Sequence, residues 1–179
     1  MRRPTAAAGS ALFFAVMPAM VAGVIPLALS GFDVRATWWA PVRVLGALLV
    51  LAGAAMLVSA FVRFVVEGLG TPAPIAPTEE LVVGGLYRYV RNPMYVAVVA
   101  TIVGEALVLG RPGLLAYAAV VWVTTATFVR LYEEPTLADR YGARYEEYRR
   151  AVPAWWPRVS GSRWPSSRPS RRGPSRRRP

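Results

Sequence analysis

Apolar residues in this chain fall in long, nearly unbroken blocks separated by short polar segments, unlike the strict alternation of a half-buried strand. The first block, Ala11 to Ser30, has about the ~20 residues that a helix needs to cross a hydrocarbon core. It is longer than a secretory core of roughly 7–15 apolar residues and has no clean small-residue cleavage site, so it reads as a retained span. The second block, Val42 to Val66, carries Arg43 and Arg63 near its ends, where long side chains can snorkel to the interface. A third span is expected from Pro93 to Gly110, with Asn92 as its N-cap and Pro93 at the first helical position. Gly110-Arg111-Pro112-Gly113 then makes a compact turn, and the fourth span, Leu114 to Arg130, returns against the third as a helical hairpin.

Past the fourth block, Leu137, Tyr141, Tyr145 and Tyr148 recur at helical spacing, while Asp139, Arg140, Arg144, Glu146, Glu147, Arg149 and Arg150 fill the other positions. This pattern predicts an amphipathic helix over about 136–150 on the membrane surface, followed by Trp155 and Trp156, which suit the interface. From Val159 onward Ser, Pro, Gly and Arg dominate, so 159–179 reads as a disordered basic tail. The predicted fold class is therefore all-α: a polytopic membrane protein with four transmembrane helices over 11–30, 42–66, 93–110 and 114–130. A cytoplasmic segment over 1–10 precedes the membrane domain, which covers 11–158.

Charge orients this arrangement. Four crossings put both termini on one side, together with Arg2, Arg3, Arg88, Arg91 and the basic C-terminal region, while the opposite loops hold only Arg35, Arg43 and Arg111. The excess of arginine makes the shared face cytoplasmic, in a cell (plasma) membrane. A formal charge of +11 would suggest nucleic acid in a soluble protein, but eight of the 21 basic residues lie between Arg158 and Arg178. The tail reads as a partner for anionic lipid rather than for any specific nucleic acid. Cysteine and histidine are both absent, which excludes disulfides, thiol nucleophiles and imidazole-ligated metals.

The distinctive polar chemistry is concentrated in two segments. Gly85-Leu86-Tyr87-Arg88-Tyr89-Val90-Arg91-Asn92-Pro93-Met94-Tyr95 resembles the Gly-x-Tyr-x-x-x-Arg-His-Pro-x-Tyr signature of the isoprenylcysteine carboxyl methyltransferase and phospholipid methyltransferase superfamily. Arg130-Leu131-Tyr132-Glu133-Glu134-Pro135 resembles that family's Arg-x-x-x-Glu, with Tyr141-Gly142, Tyr145, Tyr148 and Val152-Pro153 following in the family's order. The resemblance covers about Leu81 to Arg158, and the first two spans match only in being apolar.

The resemblance implies S-adenosylmethionine as cofactor and methyl donor, held by Leu81, Val82, Tyr87, Asn92, Pro93, Met94, Tyr95 and Glu134. It also implies Arg91, Arg130 and Glu134 as catalytic residues, with Arg130 on the substrate side. These residue types suit the chemistry. A carboxylate can take the donor's ammonium or ribose hydroxyls, and tyrosine faces attract a cation. Methyl transfer from a sulfonium needs alignment and exclusion of water more than covalent help. The family's histidine is Asn92 here, which cannot titrate, so a base must come from a carboxylate or from the substrate. Glu79 and Glu80 align with a looser donor-contacting stretch and carry little weight.

Glu105, midway along the third span, is costly in hydrocarbon and so should face protein or a wet cavity. It is a candidate substrate-binding residue, with a structural hydrogen bond as the alternative. The expected partners are thus a lipophilic or small membrane-permeant acceptor (carboxylate, amine or thiol) and membrane lipids. Two other readings remain open: a non-catalytic scaffold or transporter component, and a donor-binding family member without turnover.

Overall fold

The structure is a computed structural model and describes residues 16–31, 39–68 and 81–157. The segment 1–10, the start of the first span, Glu79, Glu80 and the tail at 159–179 lie outside the described residues. Every regular element among the described residues is helical, in agreement with the all-α expectation. Helix α1 is Val16–Ser30, α2 is Ala40–Gly68 and α3 is Pro93–Leu109. Helix α4 runs continuously over Gly113–Tyr141, and α5 is Ala143–Ala151.

Helices α2 and α3 pack through small residues. Gly46, Gly53 and Ala60, seven residues apart, are buried along one side of α2. A Cβ at Gly46 would stand 2.7 Å from the Gly104 carbonyl oxygen, and one at Gly104 would stand 2.6 Å from that of Gly46. Gly53 faces Thr101, whose hydroxyl is already satisfied by donating to Ala97 O at 2.9 Å. Small residues let two backbones approach this closely, which is how helices gain packing where lipid tails are as apolar as their own side chains. The outward side of α2 exposes Val44, Leu45, Leu48, Leu51, Val58 and Val62. In a bilayer these side chains meet acyl chains.

The hairpin forms where expected. Gly110 closes α3 in the left-handed conformation (φ 66°), its N–H reaching Ala106 O, and the chain turns into α4 at Gly113. The expectation of four full spans is corrected. By length and composition two helices suffice to cross a membrane, Ala40–Arg63 and Gly113–Tyr141, whereas Val16–Ser30 and Pro93–Leu109 are shorter apolar helices. Clipped by Pro93 and Gly110, α3 has 17 residues. That length is about 25 Å at the usual helical rise, less than a hydrocarbon core.

Two prolines shape the remaining helices in the same way. Proline lacks an N–H, and its ring clashes with the carbonyl four residues back. Ahead of Pro26 the helix widens into a π turn, Met20–Val24, and Ile25 N–H bonds Met20 O. The π-helical partner of Val21 O would be Pro26, which has no N–H to give. Tyr117 on α4 supplies a donor, its O–H donating to Val21 O at 3.0 Å and so tying α1 to the hairpin. Tyr117→Phe should remove that hydrogen bond at a cost of about 1–2 kcal/mol, read as a lowered unfolding midpoint in detergent. Ahead of Pro135, α4 likewise widens over Val129–Glu133, and Glu134 N–H bonds Val129 O.

The amphipathic helix expected over 136–150 is also corrected. Gly142, at φ 54° and ψ −133°, breaks it between α4 and α5, a conformation open to glycine at little cost. Its apolar stripe still converges: Tyr145 and Tyr148 are buried with Leu81 and Val152, and Leu137 and Tyr141 pack against them.

Candidate functional site

Three pieces of chain meet at one end of the bundle. They are the corner from Leu81 to Tyr95, the π turn carrying Glu133 with Glu134 just beyond it, and α5 with the strap 152–157. The corner begins with Leu81 and Val82, both buried: Leu81 packs on Tyr145 and Tyr148, and Val82 packs with Ala60 and Tyr87. Gly85 has φ 56°, a conformation that favours glycine, and a Cβ there would press on the Arg63 side chain, with Cγ at 3.0 Å. The 3₁₀ turn Gly85–Arg88 then buries Tyr87, whose carbonyl accepts from Tyr148 O–H at 2.7 Å, and Met94 packs against the same cluster.

Asn92 stands at the N-cap position of α3 and Pro93 begins the helix, as expected, but the Asn92 side chain makes no capping hydrogen bond. The Asn92 side-chain amide donates to Ala154 O at 3.2 Å and its backbone N–H to the same oxygen at 3.3 Å, while Arg91 N–H donates to Pro153 O at 2.9 Å. The amide is withdrawn from the helix end because the strap passes beside it and needs a donor. This residue therefore holds the corner to the strap.

The two glutamates diverge. Glu134 Oε1 lies 2.8 Å from Arg91 Nη1 in an ion pair, with side chains only 19% and 12% exposed, and Arg91 Nη1 also donates to Tyr145 Oη at 3.1 Å. Arg149 Nη1 is 3.9 Å from Glu134 Oε2 and Arg149 Nε is 3.4 Å from Glu146, which extends the network outward. Glu133 Oε2 instead accepts from Tyr95 O–H at 3.2 Å. Thus Arg91 and Tyr95, at the end of the first motif, each meet one acid of the second. Arg91 Nε is buried without a partner among the described residues, an open donor in the middle of the cluster.

Burial pushes the Tyr145 phenol up to about 12, against the opposing pull of Arg91, and burial also raises Tyr87 and Tyr148 above the ordinary tyrosine range. A raised value means that the folded state holds the proton more tightly. That contribution is complete below the ordinary value of 10.0 and is lost as pH climbs through about 12. Alkaline titration followed at tyrosinate absorbance should accordingly show late-titrating phenols that ionise together with loss of structure.

Glu133 is the member that sequence reasoning missed. Its signal was the adjacent acid pair abutting Pro135, since a proline inside a helix predicts the widened turn that turns neighbouring side chains to different partners. Arg130 is exposed and has no ion pair among the described residues, so the Arg-x-x-x-Glu spacing does not pair Arg130 with Glu134. Glu105 lies ten residues beyond Tyr95 on α3, about 15 Å farther along the axis, and the structure does not bring it to the corner. Its Oε2 is buried without a partner among the described residues.

The assembled site presents two carboxylates, an open guanidinium donor and tyrosine rings at one end of an apolar bundle. That set suits a ligand carrying both a cationic and an anionic group. A family model described as phospholipid methyltransferase matches residues 41–144, a stretch that includes α2, the corner, the hairpin and both glutamates. No curated protein and no solved structure matches the chain.

Proposed function

Because this chain belongs to the phospholipid methyltransferase family, within the superfamily of integral membrane methyltransferases, we propose that it transfers a methyl group from S-adenosylmethionine to a lipophilic or small membrane-permeant acceptor at the membrane boundary. The observation that carries this reading is the meeting of the Tyr87–Tyr95 corner with the Glu133–Glu134 turn through Arg91–Glu134 at 2.8 Å and Tyr95–Glu133 at 3.2 Å.

The residues present fit the donor. Its ammonium and sulfonium call for carboxylates and aromatic faces, which Glu133, Glu134 and Tyr95 offer. Its carboxylate calls for a hydrogen-bond donor such as the open Nε of Arg91. When bound, S-adenosylmethionine supplies a methyl already activated on sulfur. The protein's part is to hold the reacting groups in line and exclude water, for which its buried corner is suited. Leu81, Val82, Asn92, Pro93 and Met94 shape the corner through packing and the strap contacts, and Arg130, exposed beside the acids, is free to meet an anionic group on the acceptor. Asn92 cannot serve as a base, since its amide is committed to Ala154 O. Glu133 is the carboxylate left without a cationic partner among the described residues, and it is the group available to take a proton from the acceptor.

The arginines gathered at the site's end of the bundle, Arg88 and Arg91 on the corner and Arg144, Arg149 and Arg150 on α5, support a cytoplasmic site at the plasma membrane. The test is transfer of labelled methyl from S-adenosylmethionine into a lipid extract by the purified full-length protein. Label on an extractable product is expected. Saturable donor binding with no label on any acceptor would instead mark a donor-binding member without turnover. Tyr95→Phe should weaken donor binding roughly tenfold, since it removes the hydrogen bond that orients Glu133, and isothermal titration with S-adenosylhomocysteine reads this directly.

A further inference from the structure

Beyond α5 the chain leaves the helix at Val152 (φ −121°, ψ 125°) and runs extended along the corner, fixed by the hydrogen bonds to Pro153 O and Ala154 O. The next residue is thereby set in place. The Trp155 ring stands with its centroid 6.5 Å from that of Tyr95 and 6.4 Å from that of Trp122, the latter edge to face. These two neighbours belong to different environments. Tyr95 is hydrogen-bonded to Glu133 in the site described above. Trp122 lies on α4 about three turns before Glu133, inside the apolar span, and is 44% exposed. Trp155, itself half-buried, therefore lies between the carboxylate cluster and the surface that α4 presents to lipid. Trp156, directly after it, is 80% exposed, as suits an indole at the membrane–water boundary.

Resting on the methyl-transfer reading, we infer that Trp155, backed by Trp122, is the wall on the lipid side of the reacting centre, and that its bulk selects acceptors that are slender beside the accepting atom. An indole offers a large rigid surface with few rotamers, and contact with a ring on each flank limits its swing. The backbone carrying it is pinned to Arg91 and Asn92, so the wall is fixed relative to the residues proposed to hold the donor. An acceptor arriving from the bilayer past α4 must lie along this indole to reach Tyr95. Branching next to the accepting atom would collide with the ring, whereas a straight chain would lie flat against it.

The experiment uses the full-length protein in nanodiscs, with labelled S-adenosylmethionine and three acceptor series: alkylamines, alkylthiols and fatty acids, each straight or branched beside the reacting group. Trp155→Ala should raise the ratio of kcat/KM for branched over straight acceptors by roughly tenfold, the scale at which a hydrophobic pocket discriminates small changes in bulk. Trp155→Phe, which keeps an aromatic ring and protects the fold, should give a smaller rise in the same direction, and Trp122→Ala should loosen the wall likewise. Affinity for S-adenosylhomocysteine should stay unchanged in all three. A role as a structural pin predicts instead a lower melting temperature and a parallel loss on every acceptor with the ratio flat, which would overturn the inference. If the parent protein binds S-adenosylhomocysteine and methylates the series but Trp155 does not move the ratio, the wall alone falls. Absence of label on every straight-chain member would overturn the slender-acceptor assignment, and absence of S-adenosylhomocysteine binding by the parent would remove the methyl-transfer reading and this inference with it.

Discussion

Replacing Arg91 with alanine should abolish measurable donor binding and lower stability by about 3 kcal/mol, the low end for breaking a buried ion pair by removing one partner. The reason lies in what is left behind. Glu134, only 19% exposed, would keep its charge with Arg149 alone at 3.9 Å, and Tyr145 would lose its contact as well. The loss should be read both as a shift in chemical unfolding in detergent and as a loss of heat on titration with S-adenosylhomocysteine. A double variant, Arg91→Ala with Glu134→Gln, should be more stable than Arg91→Ala alone, because the stranded charge is gone, yet it should still fail to bind donor. If the two substitutions add, the pair is not the coupled unit described here.

The second large effect is expected at the seam of α2 and α3. Gly104→Val should destabilise the protein by about 3 kcal/mol or more, at or above the usual range for overpacking. A Cβ at this position would stand 2.6 Å from Gly46 O and 2.8 Å from both Val50 N and Val50 Cγ2, so it meets backbone that cannot rotate away. The two helices would have to separate. Because Ala60 continues the same seam and packs with Val82 and Tyr87, donor binding should weaken along with stability. Gly113→Ala is the matching control: nothing lies within 4 Å of its added Cβ, and the unfolding midpoint should hardly move. Equal effects at the two glycines would mean that close helix approach is not what holds the seam.

Much of this arrangement was legible in the residues. Long apolar blocks, Pro93 as a helix start and Gly110 as a stop are local signals, and local physics honours them. The corner and the acid turn were legible too, and their meeting in space follows from the short hairpin that returns α4 against α3. What could not be read depends on partners distant in sequence. Asn92 has the ordinary features of an N-cap, but the strap at Ala154 takes its amide. Glu133 and Glu134 look equivalent until the π turn ahead of Pro135 directs one to Tyr95 and the other to Arg91. The seven-residue spacing of Gly46, Gly53 and Ala60 is visible in the sequence, yet it gains meaning only once Gly104 and Thr101 face it. Gly142 divides an apolar stripe that reads as one helix, because a tyrosine every three or four residues says nothing about a glycine that bends the path between them.

The central claim is that the tyrosine-bearing corner and the paired glutamates together hold a sulfonium nucleotide. Isothermal titration of the full-length protein with S-adenosylhomocysteine, alongside Glu133→Gln and Glu134→Gln, tests it most directly. The account predicts saturable one-site binding by the parent protein and a marked loss of affinity in each variant. Monodisperse, folded parent protein that takes up no S-adenosylhomocysteine, or binding indifferent to both glutamates, would contradict it.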